Sequence, residues 1–475
     1  MRTGFKSKLT GMAIAAACAI VAAPAAYAES LSDAMASAYK TSGLLEQNRA
    51  TLRAADEDVA IARSALRPTL TYALNQTFSD PDTGIVNNTG WRTSATLTAS
   101  ILVFDFGRSK KAIELQKQLV LATRDNLVGI EQQVLLRAVQ AYLNVRSAVE
   151  NAQLQSNSVR VLTQELRAAN DRFEVGEVTQ TDVALARARL AAARANEASA
   201  RGGLEIAREE YKAVTGYYPH TLTAPPAPPM TAKTVEAAQA VARDRHPNIL
   251  AAQHNVDAAD LGVAISKDSM KPMIVGQAQS QWVKDAPIST GPFTPPNIRD
   301  QVSHSVGVSL QGTIYAGGRL SAEYRKAIAQ SEAARAGLHQ TRIAVDQGVA
   351  NAWAQLAIAS ASLEATDRQI RASRVALRGA REEASLGSRT TLDVLNAEQE
   401  LLNAEAARIT AQSNQYFAVY SLLSSMGLLT AEHLNLGVVT YDPEAYYNTV
   451  QSAPVYRVSP QGERLDLVLE ALGKK

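Results

Sequence analysis

Two stretches of this sequence are closely similar although 211 residues separate them: VGEVTQTDVALA at 175–186 and LGSRTTLDVLNA at 386–397. In both, a threonine follows a glycine by three residues, and an aspartate follows the threonine by three. These residues are Gly176, Thr179 and Asp182, then Gly387, Thr390 and Asp393. Such a glycine ends a helix with a positive φ, and the threonine and aspartate form a capping box that starts the next helix. The repeated pattern therefore predicts two helical hairpins in one chain.

The similarity continues along most of the sequence, which indicates an internal duplication. At the same offset, Gly107 corresponds to Gly318 and Gly216 to Gly427; earlier in each copy the offset is 204, and Pro68 corresponds to Pro272. Each copy predicts the same order of a helix, two strands, a long helix, a turn and a helix. The first helices are expected at about 30–66 and 233–270, because a helix rarely continues into the residue before proline.

The first 28 residues have the features of a secretory signal peptide. A basic head with Arg2, Lys6 and Lys8 precedes an apolar run, and small residues at Ala26 and Ala28 predict cleavage after Ala28. The single cysteine of the chain, at position 18, lies inside this segment, so the mature chain is expected to have no disulfide. The mature chain has a nearly balanced charge, since the segment holds three of the 48 basic residues and none of the 46 acidic ones. This balance argues against a nucleic-acid partner.

The predicted domain boundaries follow from the duplication. A signal peptide at 1–28 precedes repeat 1 at 29–216, and a proline-rich linker at 217–232 leads to repeat 2 at 233–427. Its prolines prevent the linker from being helical throughout. The tail at 428–475 carries no recognisable motif.

Alternating apolar and small polar residues predict two strands in each copy, at about 69–103 and 273–314. Strands of about ten residues suit a tilted crossing of a membrane, although the alternation alone fits a soluble hairpin equally well. In a membrane sheet, one set of side chains is expected to face lipid: Leu97, Val308 and Leu310. The opposite set is expected to face water: Thr96, Thr98, Ser309 and Gln311.

The segment from Gly318 to about Ser385 contains no proline and predicts a helix of about 65 residues, or about 100 Å. Large residues recur in it every seven positions, each followed three positions later by a small residue, as in a supercoiled helix pair. The seam consists of Val349, Leu356, Leu363, Ile370 and Leu377, with Ala352, Ala359, Thr366, Ser373 and Ala380.

The number of strands indicates how many chains a pore would need. Four strands cannot close a barrel in lipid, and eight leave no wide lumen, so a pore favours three chains with twelve strands.

The chain resembles the TolC family of outer-membrane channels over about 30–430. The resemblance is carried by YAGGRLSA at 315–322, VTGYYP at 214–219 and the two hairpin motifs, the second extended as LGSRTTLDVLNAEQELLNA at 386–404. It implies a mainly α, duplicated chain with a membrane β-barrel. It also implies a homotrimer, which would form a 12-stranded β-barrel in the outer-membrane lipid, continued by a long α-helical coiled-coil barrel that extends into the periplasm.

The same resemblance implies an exit duct of a tripartite type I secretion or efflux system. Its partners would be a periplasmic adaptor (membrane fusion) protein and an inner-membrane ABC or RND-type pump. The cargo, a secreted protein or a small molecule, stays open.

The resemblance also assigns roles to residues at the hairpin turns. It implies adaptor docking by Val175, Gly176, Thr179, Leu386, Gly387 and Thr390. It implies that Thr181, Asp182 and Arg389 hold a gate shut and that Asp393 forms a ring of carboxylates in the pore. Two positions depart from the family pattern: Ala384 replaces a gate tyrosine and Asn396 replaces a second acidic ring. We therefore expect a looser and less cation-selective gate. On the residues alone, the turn residues need no role beyond capping helices.

Three other classes fit less well. An enzyme is not expected, since the chain has no HxxxH pair, GxSxG motif or P-loop, and no catalytic residue, cofactor or metal site is predicted. A periplasmic coiled-coil or adhesin-like stalk without a pore is the main alternative. An adaptor of such pumps is another, with one helical hairpin. The duplicated strand pairs argue against both.

Overall fold

The computed structural model describes residues 28–80, 90–225, 232–287 and 299–455, with 464 and 467–468. The predicted signal peptide lies outside these residues except for Ala28. Residues 226–231 of the predicted linker and most of 456–475 in the tail also lie outside them. None of the helices in the described ranges has an apolar stretch sufficient to cross a bilayer.

The elements repeat in the two copies. Copy one contains α1 (Leu31–Thr41), α2 (Gly43–Ser64), β1 (Thr69–Ser79), β2 (Gly90–Phe104), α3 (Arg108–Glu174) and α4 (Gln180–Thr215). Copy two contains α5 (Val235–Arg245), α6 (Pro247–Asp268), β3 (Met273–Pro287), β4 (Arg299–Gln311), α7 (Arg319–Ser385) and α8 (Thr391–Ser425), and α9 (Pro443–Val450) follows. The short helices recur at the offset of 204 and the long ones at 211, which confirms the duplication. The long helices α3 and α7 have 67 residues each, close to the predicted 65.

The expectation of one helix before the strands is wrong in both copies, because each region forms two helices. In copy one the Ser42 side chain accepts a hydrogen bond from the Leu45 backbone N–H at 3.2 Å and so starts α2. In copy two the ring Nδ1 of His246 accepts from the Asn248 N–H at 3.2 Å, and Pro247 occupies the first helical position. A capping side chain or an N-terminal proline begins a new helix and so interrupts the longer one.

The four strands form one antiparallel sheet in the order β1-β2-β3-β4. The register places Leu97 opposite Tyr72 and Thr98 opposite Thr71, so apolar residues share one face and polar residues the other. The apolar face carries Leu70, Tyr72, Leu74, Phe78, Trp91, Leu97, Ile101, Trp282, Val302, Val306, Val308 and Leu310. The polar face carries Thr69, Thr71, Asn75, Thr96, Thr98, Gln279, Gln281, Ser303, Ser305, Ser309 and Gln311. The predicted alternation is therefore confirmed over most of each strand. The polar residues on the apolar face are Gln76, Thr93, Ser280, Lys284, Asp300 and His304.

The chain forms two compact units. Of the described residues, the hairpin unit comprises 28–41, 137–225 and 358–417, and it holds both hairpin turns. The strand unit comprises 42–80, 90–136, 232–287, 299–357 and 418–455, and it holds the sheet.

The predicted heptad seam of α7 is buried or half-buried at every position. Val349 is fully buried, and Ala359, Ile370 and Ala380 are each less than 9% exposed. Most residues between the seam positions are exposed. The seven-residue period therefore marks the packed face of this helix, as expected.

The tail contributes to the strand unit, where α9 packs on α2. The Tyr446 hydroxyl donates to the Glu57 carboxylate at 2.7 Å, and Glu444 lies 3.6 Å from the Arg124 guanidinium. Tyr441 and Tyr447 pack against the buried cluster of Leu52, Val59, Ile113 and Val120. Part of the tail is therefore an integral part of this unit, which the sequence did not indicate.

Candidate functional site

The first hairpin turn, between α3 and α4, has the geometry that the sequence predicts. Gly176 has φ 79°, and the N–H groups of Gly176 and Glu177 donate to the last free carbonyls of α3, at 3.0 and 2.9 Å. This pair of hydrogen bonds is the Schellman motif, which ends a helix. The Asp182 carboxylate then accepts from the Thr179 N–H and hydroxyl at 2.9 and 2.7 Å, which completes the capping box.

The second turn, between α7 and α8, repeats these bonds. Gly387 has φ 76°, and it and Ser388 donate to carbonyls of α7 at 3.1 and 3.0 Å. The Asp393 carboxylate accepts from the Thr390 N–H at 3.1 Å and from its hydroxyl at 2.8 Å. The duplicated motif therefore encodes the same helix end and helix start twice.

Both capping aspartates are charged at neutral pH. The backbone and hydroxyl donors of Thr179 hold the pKa of Asp182 below its usual value. The hydroxyl and backbone donors of Thr390 do the same for the pKa of Asp393, with a smaller contribution from Arg389. Each turn thus carries a fixed negative charge beside its threonine.

Arg389 does not pair with Asp182 in this chain. Its Nε donates instead to the Glu383 carboxylate at 2.5 Å, six residues earlier on the same hairpin. Both side chains are about half exposed. Within the described protomer the Asp182 carboxylate accepts from Thr179 and Arg389 pairs with Glu383, so these two gate residues do not pair with each other. Thr181, the other predicted gate residue, is exposed at the start of α4.

The two hairpins pack side by side within the hairpin unit. Arg189 of α4 donates to the Asn396 side chain of α8 at 3.0 Å. Arg381 of α7 lies 3.5 Å from Glu165 of α3 and also contacts Glu398 of α8. Leu395 of α8 joins a buried cluster of α3 and α4 residues: Leu162, Ala169, Val183, Ala186, Leu190 and Ala193. These contacts were missed from the sequence, although Asn396 had been noted as a departure from the family.

The tips expose large aliphatic side chains. Val175 is 72% exposed and Leu386 is 83% exposed, each directly before its glycine. A Cβ added to Gly176 or Gly387 would meet no atom within 4 Å. The glycines are therefore required by their positive φ and not by crowding within the protomer.

The duplicated chain, with paired long hairpins and a sheet exposing one apolar face, defines the class of outer-membrane export channels. The family model described as outer membrane efflux protein matches residues 36–217 and 240–428, and the chain belongs to that family. This confirms the family predicted from the hairpin motifs.

Relatives and solved structures agree. The chain is similar to the outer membrane efflux protein BepC of Brucella suis, with 34% identity over 94% of this chain and 97% of BepC. It is similar to the outer membrane protein TolC of Escherichia coli, with 27% identity over 82% of this chain and 80% of TolC. It is also similar to the alkaline protease secretion protein AprF of Pseudomonas aeruginosa, with 24% identity over 73% of each chain.

Among solved structures, CusC matches with a TM-score of 0.74 and 18% identity, covering 84% of this chain and 92% of that one. VceC of Vibrio cholerae matches with a TM-score of 0.71 and 20% identity, covering 84% and 96%. These likenesses show the fold. The family assignment and the named relatives make the chain an outer-membrane exit duct, in a family of channel proteins that work within tripartite efflux and secretion systems.

Proposed function

We propose that three copies of this chain form one export channel, with a barrel of twelve strands in the outer membrane. The observation that carries this proposal is the sheet. In the described protomer its edge strands, β1 and β4, each have one paired side, and its apolar face exposes side chains such as Tyr72 and Val306. An open edge and an exposed apolar face are both costly in water, and an open edge is excluded in lipid. When further copies close the sheet into a barrel in a bilayer, the edge strands are paired and the apolar face contacts lipid.

The hairpin tips form the periplasmic entrance and the docking site for an adaptor protein. Two features support this role. Each tip presents an exposed aliphatic residue, Val175 or Leu386, beside a glycine with open space around it. Small residues and an adjacent apolar side chain allow the close approach of a partner helix. Gly176, Gly387, Thr179 and Thr390 belong to this surface.

The same tips contain the gate. Three-fold symmetry brings three copies of Asp393 around one axis, and their fixed negative charges attract cations. Arg389 and Asp182 act as the latch between neighbouring hairpins in the closed trimer, and the Arg389–Glu383 bond is the competing arrangement within one chain. Thr181, exposed beside Asp182, contributes to the same contact.

The duct serves efflux of small molecules through an adaptor and an inner-membrane pump. The similarity to BepC, named an efflux protein, favours this cargo. Protein secretion is the second candidate, supported by the similarity to AprF, which is named for the secretion of alkaline protease. Measuring export of a dye and of a secreted protease by the same deletion strain distinguishes them.

Single-cysteine labelling tests the barrel. The predicted mature chain contains no cysteine, so each introduced thiol reports on one position. A membrane-impermeant maleimide is expected to label Thr98→Cys and Ser309→Cys, which face the lumen, and to leave Leu97→Cys and Val308→Cys, which face lipid, unlabelled. The reverse pattern would contradict the proposed orientation, since one residue of slip exchanges the two faces.

A further inference from the structure

The hairpin unit contains a cavity whose walls come from all four of its long helices. It has a volume of about 270 Å³ and lies between the two hairpins. Half of its lining residues are aliphatic: Leu154, Val161, Leu162, Leu377, Leu395, Leu401 and Leu402. An apolar cavity with a few polar groups is the usual form of a small-molecule site, and this volume is slightly below the roughly 300–1,000 Å³ typical of such sites.

The charged side chains of the wall are unequally satisfied. Arg381 and Glu398 pair with each other, and Arg381 also lies 3.5 Å from Glu165 outside the wall. Glu405 pairs with Arg374 at 2.9 Å. Arg189 is the one charged side chain of this wall that forms no ion pair with the described residues. It donates a hydrogen bond to the neutral Asn396 side-chain amide, and no carboxylate of those residues lies within ion-pair distance.

A guanidinium carries five donors in a planar fork that matches a carboxylate. Arg189 uses one N–H donor for the bond to Asn396, and its other N–H donors are available to a ligand that lies against the leucines. The cavity therefore combines an apolar volume with one guanidinium that contacts no carboxylate of the described residues. A positively charged ligand has no such partner, since both carboxylates of the wall are already paired.

We propose that this cavity binds a small amphipathic anion, a medium-chain aliphatic carboxylate, with its chain against the leucines and its carboxylate on Arg189. The ligand contacts α3, α4, α7 and α8 together and so joins the two hairpins of one protomer. A helix of a partner protein is too wide for a volume of 270 Å³, since a helix with its side chains is about 10 Å across. This site is distinct from the exposed turn residues assigned to docking and gating.

Protection of an introduced thiol tests the site in the full-length protein reconstituted in lipid nanodiscs. Leu402→Cys places a half-buried thiol in the wall, and Val375→Cys places a control thiol on the exposed side of α7, outside it. Octanoate at tenfold its dissociation constant is expected to slow maleimide labelling of Leu402→Cys about tenfold, because only the unoccupied fraction reacts. Labelling of Val375→Cys is expected not to change.

Two further arms test the charge. Octylammonium, with the same chain and the opposite charge, is expected to give no protection, and adding Arg189→Gln is expected to abolish protection by octanoate. Leu377→Cys, on a different helix of the wall, repeats the test independently of any local effect at position 402. Equal protection by octylammonium, protection that survives Arg189→Gln, or equal slowing at Val375→Cys would each overturn the proposal.

Discussion

Replacing Asp56 by asparagine is expected to stabilise the protein increasingly as pH rises from about 4 to about 7, and to have little effect only below about pH 4. Asp56 of α2 is fully buried, and neither of its carboxylate oxygens has a hydrogen-bond partner among the described residues. Burial raises its pKa to about 7; the nearby Arg124 opposes this rise and Glu57 adds to it. Tyr441 and Tyr446 of the tail complete the surroundings, with Arg53 of α2 beside them.

The sign and size follow from the two pKa values. In the unfolded chain the carboxyl titrates near 3.8, and in the folded chain near 7. Between these values the folded state binds the extra proton, so stability falls as pH rises, and the full cost applies above pH 7. A difference of about 3 pKa units corresponds to about 4 kcal/mol at most. For a chain of about 450 residues that melts as one unit, this is about 4 °C in melting temperature.

The assay is thermal melting followed by circular dichroism at about pH 5 and about pH 8. Asp56→Asn keeps the side-chain shape and removes the charge, and Asp58→Asn, exposed one half-turn later on α2, is the control. The Asp56 variant is expected to gain melting temperature over wild type as pH rises, and the control is not. A constant difference between variant and wild type at both pH values would refute the reasoning, as would a less stable variant at pH 8. Either result would mean that Arg124 compensates the buried carboxylate.

The remaining predictions concern the turns. Gly176→Leu and Gly387→Leu are expected to leave trimers in the outer membrane but to abolish export, because each places a bulky side chain on the docking surface at a positive φ that costs about 1–2 kcal/mol. Gly202→Leu is the control, because it places the same side chain at an open position of α4. Normal export by both turn variants would mean that the turn residues only cap helices. Arg389→Ala is expected to raise single-channel conductance and antibiotic leakage, since it removes the proposed Arg389–Asp182 latch from each of three chains. An exposed ion pair of this kind contributes about 1 kcal/mol or less, and three such losses shift a balanced gate. Arg378→Ala is its matched control. Asp393→Ala is expected to lower cation selectivity and block by multivalent cations, and unchanged ion preference would place the constriction elsewhere.

Most of the fold could be predicted from patterns among residues that are close in sequence. The Gly-x-x-Thr-x-x-Asp spacing specifies both turns because every bond in it joins neighbours in sequence, and the observed distances agree between copies to within about 0.2 Å. The strand faces followed from alternation, which depends only on the period of two. The breaks at Ser42 and His246 were not predicted, although the capping serine and the proline at 247 are local signals for the start of a new helix.

Contacts between distant residues were beyond local patterns. Arg189 and Asn396 are 207 residues apart, and nothing near either indicates the other. Arg389 has a partner within its own hairpin that the resemblance did not indicate. The resemblance directed attention to Asp182, but Glu383 is the nearer acceptor within the hairpin, and only coordinates show that competition. The role of the tail was missed because its tyrosines pack onto α2 and α3 through contacts that no motif records.

The central claim is that copies of this chain close into a pore across the outer membrane. Single-channel recording of the purified protein in a planar lipid bilayer tests this most directly. We expect discrete, uniform conductance steps that favour cations and that appear only with the protein assembled as a trimer. Stable insertion of the protein without conductance steps would contradict the claim and would favour a stalk without a pore.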